Sequence, residues 1–184
     1  MLDLGMFEEY LQDSYEFFTI AQKASKECDD RKARRYYRAS VFYAASAMEA
    51  FVNYTANTLA EGKILLPDEK AFLNDRVINF SPDKGKLVEQ TKYYSIDDKL
   101  KFLFCKFVPN FESATNKSWA NFMEFKDLRD LLVHPRQSED ETKVGDYQKK
   151  IQRGLSGIIE LMNYISKGIY SKPLRKRLLD LIPE

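Results

Sequence analysis

The chain has 184 residues and a mass of 21.5 kDa, with 29 Lys plus Arg against 28 Asp plus Glu and a formal net charge of +1. That length fits one domain, and a charge so near zero argues against a protein that grips nucleic acid by bulk positive charge. A single histidine, His134, leaves no multi-histidine metal site within the chain, and Cys28 and Cys105 form no C-x-x-C pair. A structural zinc site is therefore not expected, and neither is any other metal or cofactor.

The hydrophobic share of 44% beside 31% charged residues is that of a folded, soluble domain rather than a disordered one. Aromatic residues at 14% imply a sizeable core. Glycine is scarce and no proline precedes Pro67, which favours long helices over a strand-and-turn protein. The opening MLDLGMFEEY lacks the basic-then-apolar order of a secretory signal. The most apolar stretch, 39–52, carries only Glu49 as a charge and is shorter than the roughly 20 residues a bilayer requires. Sparse cysteines suit a reducing compartment. These features together predict a cytoplasmic chain with free thiols and no membrane partner.

In chain order, Leu4, Phe7, Leu11, Phe18 and Ala21 fall near helical spacing and predict a first core helix over about 4–28. A break follows at Cys28-Asp29-Asp30, where an aspartate can cap the next helix, expected over about 32–61. There Tyr37, Val41, Ala44, Met48, Phe51, Thr55 and Leu59 recur at steps of three or four. The middle of this helix is small or apolar all round, so it is expected at the centre, with Glu49 needing a buried partner. Segment 63–94 reads as an insertion, with Pro67 and again Ser81-Pro82-Asp83 opening short helices. Ser95-Ile96-Asp97-Asp98 opens a third core region, 96–134. That region pauses at Pro109, resumes with Asn116 or Ser118 as cap, and stops at Pro135. The segment QSEDET from Gln137 is read as solvated surface. A fourth core helix is expected over 144–168, with Gly154 and Gly157 marking close helix contact, and a short basic helix within 171–181. The fold class predicted is all-α, an antiparallel helical bundle of four core helices plus short extra helices, in a single domain over 1–184.

One stretch can carry chemistry, FKDLRDLLVHP from Phe125 to Pro135. On a continuous helix Arg129 and His134 would point about 140° apart. Residues before proline avoid the α region, so the helix should unwind at His134 and let the ring swing toward Arg129. Asp130 could accept a hydrogen bond from the imidazole and set its tautomer. A histidine in this place can equally cap helix carbonyls, and Arg129 can pair with Asp127 or Glu49.

Arg129, Asp130 and His134, with the apolar filler LLV and the following VHPR, resemble the Arg–polar–spacer–His motif of the HEPN superfamily. Two upstream segments, YYRASVFYAASAMEAFVNYTANTL and SIDDKLKFLF, are similar to the helix and pre-motif segment of prokaryotic members. The resemblance implies a HEPN-like bundle and a metal-independent endoribonuclease, a toxin of a toxin–antitoxin or anti-phage system. In such an enzyme the RNA 2′-hydroxyl attacks phosphorus to leave a 2′,3′-cyclic phosphate. His134 would act as acid or base and Arg129 would clamp the phosphate. Asp130 would orient His134 or Arg129, and Glu49 would support Arg129. One imidazole per chain implies a two-fold homodimer with the site at its interface.

RNA contact is expected from local clusters. Arg34, Arg35 and Arg38 lie in RKARRYYR, whose tyrosines could stack on bases; Lys126 and Arg136 flank the motif, and KPLRKR (172–177) is a second cluster. An antitoxin protein is a further expected partner. The alternatives are a non-catalytic HEPN module that binds RNA, a nucleotide or a protein, and an all-α interaction protein in which the motif is accidental.

Overall fold

Two long helices, α1 (Met6–Lys26) and α2 (Asp30–Glu61), form an antiparallel hairpin at the start of the chain, in a computed structural model that describes residues 5–134 and 142–183. The turn is made by Cys28 at a positive φ of 59° and by Asp29, whose side chain accepts a hydrogen bond from the Lys32 N–H at 3.0 Å. This is the expected cap, and it satisfies one of the N–H groups a helix start leaves unpaired. The seam between the helices is aromatic, with Phe7 edge-on to Phe51 at 5.2 Å and Phe18 against Tyr37. At its midpoint the buried Ser14 hydroxyl donates to the Ser40 carbonyl at 2.8 Å.

Third and fourth in the bundle are α4 (Ile96–Phe107) and α5 (Lys117–Val133), followed by α6 (Val144–Tyr170). Ser95 caps α4, accepting from the Asp98 N–H at 3.2 Å, and Asn116 caps α5, accepting from the Trp119 N–H at 2.9 Å. Ser118, the other candidate cap, instead donates to Glu160 on α6. α5 and α6 run antiparallel, and both expected glycines sit in their seam. A Cβ added to Gly154 would run into the Phe125 ring, and one on Gly157 would lie 2.7 Å from the Ser118 carbonyl oxygen. Close approach outweighs the roughly 1 kcal/mol that each glycine costs inside a helix. Buried residues from α1, α2, α4, α5 and α6 form one apolar cluster centred on α2 and α6.

The helical frame bears out the all-α class, and only the insertion, expected to hold short helices, departs from it. Pro67–Leu73 form α3, started as read from sequence, with Glu69 accepting from the Leu66 N–H at 2.9 Å. The next residues are extended: β1 (Arg76–Ser81) pairs antiparallel with β2 (Lys86–Thr91), in register from Arg76↔Thr91 to Ser81↔Lys86. Pro82, read as a helix start, makes only the 3-10 turn Pro82–Lys84, closed by Gly85 at φ 59°. Val77, Ile78, Phe80, Leu87 and Val88 favour a pleated surface, and Gly85 takes the left-handed angle that a tight turn demands. The protein is therefore mostly helical, with one two-stranded arm.

Asp75 anchors this arm to α4. Its carboxylate accepts from the Lys99 ammonium at 2.7 Å and from the Tyr94 N–H at 3.0 Å. Lys99 is only 5% exposed, so loss of its partner would strand a charge. Asp75→Ala is expected to cost about 2–4 kcal/mol, measured by urea unfolding. Adding Lys99→Met should recover most of that loss, because it removes the stranded charge.

The C-terminal helix is shorter than expected: α7 spans Lys176–Leu179, after a non-helical stretch in which the Leu174 N–H donates to Asn163 at 3.0 Å. Among the described residues, no helix is long and apolar enough to cross a membrane. Cys28 and Cys105 are free thiols, both exposed.

Candidate active site at the end of the fifth helix

α5 ends as its sequence dictates. His134 is the C-cap, at φ −124° and ψ 66°, outside the α region, and its N–H donates to the Asp130 carbonyl at 2.9 Å. The side chain is exposed. Pro135, whose ring favours this unwinding, lies outside the described residues, as do Arg136 and most of the acidic segment that begins at Gln137.

One turn back, the Arg129 guanidinium donates to Asp130 at 3.0 Å and to Glu49 of α2 at 3.5 Å. Lys126 donates to Asp130 at 3.3 Å and lies 3.8 Å from Asp97 in the first turn of α4. Glu49, Lys126, Arg129 and Asp130 rim a small pocket between α2, α4 and α5, floored by Met48, Ile96, Phe122 and Phe125. Arg129 keeps a third of its side chain exposed, with donors left over for an anion.

Asp130 therefore serves Arg129 and Lys126. Among the described residues no hydrogen bond joins it to the His134 ring, so of the two groups it was expected to orient, it contacts Arg129. The reason is geometric: Asp130 sits beside Arg129 and one turn above Lys126, while the unwound His134 turns outward. Partial burial pushes the Asp130 carboxyl up. The hydrogen bonds from Arg129 and Lys126 outweigh this and hold its pKa below the ordinary range. A lowered folded-state pKa contributes stability that is present above the unfolded value near 3.9 and is lost as pH falls through the folded value. Asp130→Asn should therefore lose less stability than the parent between pH 5 and pH 2, read from urea midpoints across that window.

The other expected residues divide. Glu49 pairs with Arg129 as expected but is half exposed, so the buried carboxylate is corrected; its neighbours Met48 and Val52 turn into the core while Glu49 faces the groove. Of the two partners open to Arg129 on sequence, the guanidinium takes Glu49, together with Asp130, rather than Asp127. Arg34 donates to the Thr142 carbonyl at 2.6 Å, which ties the start of α2 to the chain just before α6. Arg35 and Arg38 are exposed on α2.

The tyrosines of the same cluster are structural. Tyr37 is fully buried, stacked on Tyr147 at 6.1 Å and bonded to Gln148 at 3.4 Å. Burial pushes its phenol pKa up. Tyr36 stacks on Phe17. The KPLRKR cluster is partly absorbed too: Arg175, at 3.4 Å, and Arg177 both pair with Glu8, a carboxylate only 6% exposed.

Reasoning on sequence missed Asp97 and the apolar pocket floor. Their spacing gave no local signal, because three separate helices bring them together. Compared with family models, curated proteins and solved structures, the chain matches none.

Proposed function

We propose that the protein is a metal-independent endoribonuclease of HEPN type, acting through Arg129 and His134. The observation that supports this reading is the end of α5, where an exposed His134 sits on an unwound cap one turn past an arginine with donors to spare. The proton and charge demands of 2′-hydroxyl attack match this pair. A histidine imidazole can give or take a proton as a general acid or base. A guanidinium fork neutralises the charge that develops on phosphorus. Asp130 and Glu49 hold Arg129 in place, and its remaining donors are strongest where a phosphodiester gains a second negative charge in the transition state.

Cleavage requires both a base and an acid, and each chain has one histidine. A two-fold homodimer that joins two copies of the α5 end would supply the second imidazole. Leu131 and Val133, 47% and 40% exposed beside His134, are the apolar surface such a contact would cover. A role as a toxin held by an antitoxin follows from the HEPN resemblance, and growth arrest on expression is its measurement.

A second reading, a non-catalytic HEPN module, is favoured by the absence of a hydrogen-bond partner for the His134 ring among the described residues. The separating experiment is incubation of labelled RNA with the wild-type chain and His134→Ala in EDTA. Histidine-dependent cleavage favours the enzyme, and binding without cleavage favours the module.

A further inference from the structure

The basic cluster at the start of α2 is rearranged by folding. Arg34 is turned toward Thr142, and Tyr36 and Tyr37 pack inward. What remains in solvent is a different set: Arg31, Arg35, Arg38 and Phe42, all exposed, with Phe42 at 40%. Steps of four, three and four residues place these four side chains within about 60° of one another around the helix. Glu49 lies about five whole turns beyond Arg31, on the same stripe, and it is the residue that touches Arg129. One face of α2 thus runs from three arginines, past an open aromatic ring, to the Arg129 pocket over roughly 27 Å. Among the described residues, none of these three arginines has an ion-pair partner, so their charge is available to a ligand.

We propose that this face of α2 is a track for single-stranded RNA, with Arg31, Arg35 and Arg38 on successive phosphates and Phe42 stacked under a base, delivering the strand to Arg129. The proposal rests on the RNA reading above and names how its substrate is held. Spaced cations suit the regular charge of a nucleic-acid backbone. An exposed ring among cations suits an unpaired base, which an acidic protein surface does not offer. The stripe is long enough for a site of about four nucleotides or more. A chain whose total charge is +1 needs such a local concentration if it is to hold RNA at all.

The test uses the full chain carrying His134→Ala, so that the strand survives. Fluorescence anisotropy reads the binding of a labelled oligouridine 12-mer and of an abasic strand of equal length, across a salt series. Arg31→Gln, Arg35→Gln and Arg38→Gln together should weaken oligouridine binding at least tenfold and flatten the slope of log affinity against log salt by about 2. Phe42→Ala should weaken oligouridine binding about fivefold or more and leave the abasic strand unchanged. Thermal midpoints verify that the variants fold.

No binding by the parent, or parental affinity in the triple variant, would overturn the track. So would a Phe42→Ala effect that is equal on both strands or missing from both. Cleavage by the wild-type chain is scored separately. A track that binds in a chain that does not cleave removes the enzymatic reading alone, and cleavage without dependence on the stripe removes the track alone.

Discussion

Replacing His134 by alanine is expected to slow RNA cleavage by about a hundred- to ten-thousand-fold, the range for loss of a proton-transfer group. Fold stability should not change. The side chain is exposed and sits at a helix end, where a substitution costs within about 0.5 kcal/mol, or about 2 °C in Tm for a chain of this size. The helix-terminating bond uses the backbone N–H of residue 134, which alanine retains. Single-turnover cleavage and a thermal scan on the same preparation measure both quantities. A large drop in Tm would assign His134 a structural role. An unchanged rate with an unchanged Tm would remove it from catalysis.

Phe125→Ala should be the most damaging substitution in the core near the site. Phe125 is 1% exposed, floors the Arg129 pocket and fills the space above Gly154 in the α5–α6 seam. Truncation of a buried phenylalanine costs about 3–5 kcal/mol, which here corresponds to roughly 10 °C in Tm. Because the ring also supports the turn that bears Arg129, activity should fall even where the variant remains folded. Adding Gly154→Ala should recover part of the stability, since the new methyl enters the cavity that the ring vacates. By itself Gly154→Ala should destabilise, because its Cβ would meet that ring. A thermodynamic cycle over the four chains gives the coupling, and additive effects would contradict this packing.

The helical frame was legible because its signals are local. Apolar spacing marks α1, α2, α5 and α6, and Asp29 and Asn116 announce helix starts that the structure caps with those side chains. Gly154 and Gly157 stand out as costs that only close packing repays. The β arm was not legible in the same way. Ser81-Pro82-Asp83 has the composition of a helix start, and tight-turn chemistry won only because Gly85 follows and extended, β-branched residues flank it. The β-branched and aromatic residues of RVINFS, followed by Pro82 and Gly85, were the signal that could have shown the arm.

The site was half legible. Arg129, Asp130 and His134 are neighbours in sequence, and the unwinding at His134 follows from the proline after it. Which side of α2 faces which neighbour is a tertiary fact. Hence sequence chemistry pairs Glu49 with its correct partner but in the wrong environment, and it leaves Tyr37 open both to the apolar stripe and to RNA, when the structure buries it in the core. Asp97 reaches Lys126 only because α4 and α5 meet.

The most direct measurement is the chemistry of the RNA ends left by the wild-type chain in excess EDTA, read by mass spectrometry beside His134→Ala. The expected result is a set of fragments with 2′,3′-cyclic phosphate and 5′-hydroxyl ends from the wild-type chain and intact RNA from the variant. Intact RNA from both, or the same fragments from both, would contradict a histidine-dependent ribonuclease.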